Sequence, residues 1–433
     1  MIETETPADR VYVVHPQVRG RDYDVDARLE EACGLAEALD LELAGGEITP
    51  LRSIDSGRFF GSGKAELIRE TLVEKDAVVC VVDTKLSPVQ QRNLEKAWQV
   101  KVVDRTGLIL EIFGRRARTK EGRLQVELAR LAYERSRLVR TWTHLERQRG
   151  GGGFLAGPGE TQIETDRRLL ADRMARLRRE LDDVRRTRSL HRKQRQDVPF
   201  PVVALVGYTN AGKSTLFNRV TGARVLAKDM PFATLDTTIR AFETPNGIKT
   251  LMSDTVGFII DLPTELIAAF RATLEEVRDA DVLIHVMDVS AADFDLHRQE
   301  VESILDELEA GVDHDQMVIE VFNKIDLWDE ESDNPPPSRG EGVFETISMS
   351  ALTGEGMDRF MGAIERALLE RARVLTVTLQ PGEGKAHAWL HQHGAVLKET
   401  TDNKTGIVTM TVRVTPEDAG RFAVAFPEHG QPD

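Results

Sequence analysis

One eight-residue stretch limits what this chain can fold into more than any other. Gly207-Tyr208-Thr209-Asn210-Ala211-Gly212-Lys213-Ser214 fits the pattern G-x-x-x-x-G-K-[ST] at every fixed position, and that pattern works at the junction of a buried strand and a helix. Both flanks suit it. Residues 202–206 are an apolar run long enough for a buried strand, and Thr215-Leu216-Phe217-Asn218-Arg219-Val220 has helical apolar spacing. The glycines let backbone N–H groups turn inward around phosphates, Lys213 reaches the β and γ oxygens, and the Ser214 hydroxyl can ligate Mg2+. A glycine-rich turn with no ligand would explain the pattern but not its flanks.

Three later segments name the base. Asp254-Thr255-Val256-Gly257 follows the apolar run Thr250-Leu251-Met252, so a carboxylate stands at a strand end, placed to support Mg2+ from its second shell, with the Gly257 N–H facing a γ-phosphate. Asn323-Lys324-Ile325-Asp326 closes the apolar run 317–322. Its terminal Asp can accept from both N1–H and the 2-amino group of guanine; adenine offers no such pair of donors. Ser350-Ala351-Leu352 follows the strand-like residues 345–348, where a backbone N–H can meet guanine O6. Order and spacing together describe a guanine-nucleotide domain.

With these motifs the chain resembles the translation-factor-related GTPases, and among them the HflX family. Phe232-Ala233-Thr234-Leu235-Asp236 looks like that family's first switch. The resemblance extends to Phe60-Gly61-Ser62-Gly63-Lys64, to Asp104-Arg105-Thr106-Gly107, to Leu124-Gln125-Val126-Glu127-Leu128 and to Gly157-Pro158-Gly159-Glu160-Thr161-Gln162. It implies GTP hydrolysis to GDP and phosphate, with Lys213, Asn210, Thr234 and Gly257 in catalytic positions and Ser214 and Thr234 as Mg2+ ligands. The chain departs from the family in having Thr237 where Pro usually follows the switch Asp, which leaves Thr238 as an alternative ligand. The family also implies binding to the large ribosomal subunit and ribosome splitting.

Charge is unevenly spread in a way that fits such a partner. The 433 residues carry a formal net charge of −15, yet residues 111–200 hold 23 Lys and Arg against 13 Asp and Glu, leaving the remainder strongly acidic. In the same stretch Leu170, Met174, Leu177, Leu181 and Val184 step by four, three, four and three, and Leu124, Leu128, Leu131 and Leu138 by four, three and seven. That spacing predicts two helices packed face to face. Between them, residues 149–159 hold six glycines, too many for a helix and suited to a hairpin tip. Arg173, Arg176, Arg179, Arg186 and Arg188 would line an arm able to neutralise RNA phosphates, with Gly151 and Gly152 at a tip narrow enough for a cleft. A solvated helix face is the plainer account of those arginines.

The expected fold class is α/β: a P-loop GTPase domain (198–371), preceded by a small α/β domain (1–110) with a two-helix coiled-coil arm (111–197), and followed by a small α+β ferredoxin-like domain (372–433). Strands are predicted at 11–15, 78–82 and 101–103, with helices at 27–39 and 89–98. Pro199 and Pro201 mark the hinge into the GTPase domain, residues 329–342 read as a disordered loop, and residues 356–371 as a helix. Residues 374–379, 385–391, 395–401, 406–414 and 416–425 suggest β-α-β-β-α, with Thr415 and Pro416 opening the last helix. His387, His391 and His393 invite a metal, but no third spaced ligand is evident, so they are read as surface or packing histidines. Cys33 and Cys80 are too few for a disulfide framework and are read as buried apolar side chains.

No apolar run approaches the length of a membrane span, and the acidic start Met1-Ile2-Glu3 does not look like a signal peptide. A cytoplasmic monomer is expected. The residue after Gly257 is Phe258, where many GTPases have a water-positioning Gln. Hydrolysis must then be completed from elsewhere, in trans or by a cation; Asn210 stands where an Asn helps hold K+ in related GTPases, and is otherwise a loop-stabilising residue. A rival reading is an ATP-driven RNA-remodelling enzyme with a second nucleotide near Gly61-Ser62-Gly63-Lys64, although that segment lacks the full phosphate-loop spacing.

Overall fold

The computed structural model describes residues 9–18, 23–148, 158–195, 200–223, 231–235, 237–262, 266, 274, 276–314, 316–328, 339–371, 373–402, 405–414 and 416–429. Strands β1 (Arg10–Val18), β2 (Glu42–Leu51), β3 (Val79–Val82) and β4 (Lys101–Asp104) form a parallel sheet in the order β2-β1-β3-β4. Alternation along β1 sorts its faces. Val11 and Val13 join a core with α1 (Val25–Glu37) and α4 (Arg105–Arg116), while Tyr12 and Val14 join another with α2 (Ser62–Glu74) and α3 (Pro88–Trp98).

Three of these elements were not expected. β2 contains Gly45-Gly46 and so lacks an apolar run, but Gly46 is what lets α1 rest against the strand: a Cβ there would lie 3.0 Å from Leu29 Cδ1 and 3.1 Å from Cys33 Sγ. The glycines of Gly61-Ser62-Gly63 open α2 rather than a loop, Gly61 serving as its N-cap residue. α4 runs through the expected boundary at 110/111 and is capped by the Asp104 carboxylate, which accepts from Gly107 N at 2.8 Å. Cys80 is buried as expected, whereas Cys33 is only half-buried.

Helices α5 (Lys120–Gln148) and α6 (Pro158–Arg195) pair along the stripe read from the sequence: Leu124, Leu128 and Leu131 meet Leu170, Met174, Leu177, Leu181 and Val184. Asp104 ties this pair to the first sheet, accepting from Tyr133 Oη at 2.6 Å and pairing with Arg137 at 3.3 Å. The glycine-rich tip, including Gly151 and Gly152, and the Leu138 side chain lie outside the described residues.

The second sheet has the order β10-β9-β8-β5-β7-β6, with β6 (Thr238–Glu243) antiparallel to β7 (Lys249–Asp254). β5 (Val202–Val206), β8 (Val282–Asp288), β9 (Met317–Asn323) and β10 (Glu345–Ser348) run parallel. Val203 and Leu205 of β5 pack with α7 (Lys213–Thr221) and α9 (Met357–Arg371). Ala204 and Val206 face the other way, into a core that also holds α8 (Phe294–Glu307) and the apolar faces of α1 and α4. The first two sheets therefore share one continuous core.

The third sheet is antiparallel, β11 (Arg373–Leu379), β12 (Ala395–Thr401) and β13 (Val408–Val414) in the order β11-β13-β12. α10 (Gly384–His393) and α11 (Pro416–Ala425) cover it, as the ferredoxin-like β-α-β-β-α reading expects. Thr415 and residues 329–338 of the expected loop lie outside the described residues. Among the described residues no helix is long and apolar enough to cross a membrane.

Candidate nucleotide site

The loop 207–212 leaves β5 and enters α7 at Gly212, whose φ of +93° belongs to the region glycine adopts cheaply. Two glycines have no room for a side chain. A Cβ on Gly207 would sit 2.1 Å from Val286 O, and one on Gly212 would sit 2.2 Å from Asn323 Nδ2. Asn210, exposed, takes a φ of +61°. A cavity opens here, lined by Thr209, Asn210, Gly212, Lys213, Ser214, Thr215, Phe232, Ala233, Thr234, Thr255 and Gly257.

Lys213 is buried, and its ammonium donates to Gly207 O at 3.0 Å and Tyr208 O at 2.7 Å. Burial lowers its pKa to about 8, with Asp254 pulling the other way. Gly257 crosses close to this loop: a Cβ there would lie 2.9 Å from Thr209 Cα and 3.1 Å from Lys213 Nζ. The crossing is fixed by backbone bonds, Thr209 N to Phe258 O at 2.7 Å and Phe258 N to Gly207 O at 3.1 Å. Phe258 and Ile259 are fully buried, so neither presents a group that could hold water at a phosphate.

Three oxygens from separate segments meet beside Lys213. Ser214 Oγ lies 2.8 Å from Thr234 Oγ1 and donates to Asp254 Oδ2 at 2.8 Å; Thr234 Oγ1 donates to the same oxygen at 2.9 Å. The other oxygen, Asp254 Oδ1, is buried without a hydrogen-bond partner among the described residues, and burial raises the pKa of this carboxyl. A hard-oxygen set with an orphaned carboxylate oxygen fits Mg2+, which favours such donors and keeps several waters. Thr234 makes these contacts; Thr238 opens β6 opposite Asp254 in the strand ladder. Phe232 and Leu235 are buried in the shared core, Phe232 edge-on to Phe113 of α4 at 4.6 Å, while Asp236 lies outside the described residues.

Asn323 ends β9 and joins two motifs, donating from Nδ2 to Ala211 O at 2.8 Å and accepting from Ala351 N at 2.8 Å. An O6 contact at the Ala351 amide would have to be shared with that bond. Lys324, at a φ of +64°, pairs with Asp288 at 2.7 Å. Ile325 and the exposed Asp326 form a short 3-10 turn. Ser350 is buried and turns the chain, accepting from Gly354 N at 2.8 Å, whereas Leu352 is exposed.

Sequence reasoning missed a polar knot behind the loop. Tyr208 donates to Glu31 of α1 and accepts from Ile260 N at 3.1 Å. The buried Arg105 reaches Glu31, Asp83 and Ile260 O, and Arg28 pairs with Asp261 at 3.3 Å. Burial works against the Arg105 charge, but Asp83 and Glu31 outweigh it and hold its pKa above the usual range. The signal available was Arg105 inside the Asp104-Arg105-Thr106-Gly107 motif; its partners are far away in sequence.

On the helix pair, Arg173, Arg176, Arg179 and Arg186 are exposed. Arg173 bonds Glu127 across to α5, Arg176 pairs with Glu180 at 3.0 Å, and Arg179 donates to Ala175 O at 3.3 Å. Arg188 continues the α6 backbone. The segment Gly61-Ser62-Gly63-Lys64, considered for a second nucleotide, forms the first turn of a helix instead of a phosphate loop.

Four family models match in sequence: GTP-binding GTPase N-terminal over residues 26–114, GTP-binding GTPase Middle Region over 116–195, 50S ribosome-binding GTPase over 202–324, and HflX C-terminal domain over 338–425. A GTPase HflX of Magnetococcus marinus is 45% identical over 430 residues, 98% of this chain and 96% of that protein. GTPase HflX of Escherichia coli (strain K12) is 45% identical over 370 residues, 85% of each chain. That of Lacrimispora saccharolytica is 41% identical over 399 residues, 92% of each.

Proposed function

The chain belongs to the HflX family of GTPases and hydrolyses GTP to GDP and phosphate, and from that footing we propose that the nucleotide binds in the cavity between the loop 207–215 and residues 232–234. The convergence of Ser214, Thr234 and Asp254 beside Lys213 carries this reading. Lys213 faces the β and γ oxygens, and the Gly257 amide the γ-phosphate. Ser214 and Thr234 would hold Mg2+ directly, with the Asp254 carboxylate accepting from both hydroxyls behind them; the ion would supply positive charge against the phosphates. Asp326 reads the guanine edge, and residues 350–352 frame O6. With Phe258 buried, the attacking water is ordered from outside this segment, by a ribosomal partner or by K+ held near Asn210.

The partner is the large ribosomal subunit, contacted by the basic helix pair through Arg173, Arg176, Arg179, Arg186 and Arg188 and by the tip at Gly151 and Gly152, with GTP coupled to splitting of the ribosome in the cytoplasm. Support comes from the net positive charge of residues 111–200 in an otherwise acidic chain and from the ribosome-binding description of the family model over 202–324. The base assignment is tested by Asp326→Asn. The amide leaves guanine's donors mismatched at a cost of about 1.5–3 kcal/mol for a charge-assisted pair, so GTP affinity falls while xanthosine triphosphate affinity rises. Equal GTP affinity in mutant and parent would remove the guanine reading.

A further inference from the structure

α10 places His387 and His391 four residues apart, hence one above the other on one helix face. After Gly394 the chain returns as β12 and brings Glu399 alongside them. Each oxygen of this carboxylate meets a different imidazole, Oε1 at 2.9 Å from His387 Nε2 and Oε2 at 3.0 Å from His391 Nε2. The ligand atoms of all three lie within 4.8 Å of one another, and the imidazole centroids are 4.6 Å apart. The third ligand that the sequence did not reveal thus comes from the adjoining strand. His393 drops out, its Nδ1 bonded to Trp389 O at 3.0 Å and its ring stacked on Trp389 at 4.2 Å.

We propose that His387, His391 and Glu399 form a binding site for a borderline divalent transition-metal ion, Zn2+ first among them, that ties α10 to β12. Two imidazole nitrogens and one carboxylate oxygen suit Zn2+ and not Mg2+ or Ca2+, which take oxygen sets. Zn–N and Zn–O bonds of about 2.0–2.2 Å put tetrahedral ligands about 3.3 Å apart; the two hydrogen-bonded pairs, at 2.9 and 3.0 Å, lie just inside that spacing, and the remaining ligand-atom separations, all within 4.8 Å, close to it by turning of the side chains. All three are partly exposed, which leaves the fourth position to water. The second such cluster among the described residues, His285, Glu302 and Glu320, has no comparable vacancy: Arg298 already binds both of its carboxylates.

The site is independent of the nucleotide reading and is tested on the full chain with GDP and excess Mg2+ present, so that the phosphate loop is filled. Zn2+ is titrated against a chromophoric chelator, and Co2+ is followed by its visible d–d absorption. The parent takes up one tight equivalent, shows the intense absorption of a four-coordinate Co2+ site, and gains thermal stability with Zn2+ as mass action requires. His391→Ala and Glu399→Gln each weaken uptake by at least about tenfold, the low end of what even a residue that only supports a ligand costs; His393→Ala keeps it. Metal-free melting of each variant is compared with the parent, and Glu399→Gln, which preserves shape, carries the test if His391→Ala melts early. No tight equivalent in the parent, uptake retained in both ligand variants, or uptake lost with His393→Ala overturns the proposal.

Discussion

The Tyr208 hydroxyl, on the second residue of the phosphate loop, donates to the Glu31 carboxylate on α1 of the first sheet's unit. The same hydroxyl accepts from Ile260 N, three residues beyond Gly257, and the Tyr208 ring stacks on His297 at 3.7 Å with the planes 13° apart. One side chain therefore touches the loop, the segment that would sense a γ-phosphate, and the neighbouring unit. A nucleotide-driven shift of Gly257 would have to rearrange this bond, which gives the first sheet a physical means of registering the nucleotide state.

Tyr208→Phe removes that shared hydroxyl and leaves Glu31 to Arg105 and Arg28. Loss of a hydrogen bond to a charged group costs about 1.5–3 kcal/mol, so the variant unfolds at lower denaturant with an unchanged slope. Combined with Glu31→Gln, the two losses overlap, because each variant already breaks the same bond. Strictly additive losses in the double-mutant cycle would show that the contact contributes nothing to joining the two units.

Lys213 predicts a pH dependence of binding. Its pKa near 8 arises from burial; phosphates arriving beside it favour the charged form and raise that value. Below about pH 8 both free and bound states carry the proton and affinity is level, while above it binding must take up a proton and affinity falls by up to about tenfold per pH unit. Calorimetry in two buffers of different ionisation enthalpy at alkaline pH should report net proton uptake on GTP binding. Proton release, or affinity that rises with pH, contradicts the assignment of Lys213 to the phosphates.

Two glycines bordering α7 separate steric need from backbone preference. Gly222 has a φ of +67° and, among the described residues, nothing within 4 Å of an added Cβ, so Gly222→Ala costs only the left-handed penalty, about 1–2 kcal/mol, and binds nucleotide normally. Gly212→Ala drives a methyl into the Asn323 amide that holds Ala211 and Ala351 together. It should abolish nucleotide binding in a fluorescent-nucleotide titration, with most of the helical signal kept. Equal binding by the two variants would mean that the Asn323 bridge is dispensable.

Much of this arrangement was legible because its signals are local. The strand before Gly207, the strand ending at Asn323 and the heptad stripe of α6 each lie in one continuous stretch and are where the periodicity puts them. What was hidden depends on neighbours remote in sequence. β2 is held by Gly46 meeting α1, Glu399 reaches His387 only because β12 folds back on α10, and Arg105 finds Ile260 O across 155 residues. A buried arginine and an exposed one look alike in a sequence; only its partners distinguish them.

Those partners also frame the test of the helix pair. Arg173, Arg176 and Arg179 are exposed, and among the described residues their contacts are surface ones, to Glu127, Glu180 and the Ala175 carbonyl. Breaking exposed pairs of this kind costs about 0–1 kcal/mol each, so replacing all three with Glu should leave the α5 and α6 stripe packed and the helical signal intact. Nucleotide affinity should stay at the parent value, since none of the three approaches the phosphate loop cavity. If each arginine neutralises an rRNA phosphate, the log-log salt dependence of large-subunit binding flattens by roughly 0.7–0.9 per lost contact. Binding weakens at every salt concentration, and stimulation of GTP hydrolysis by the subunit is lost with it. A triple variant that still co-sediments with large subunits and is still stimulated by them would reduce these arginines to a solvated helix face and move the contact to another surface.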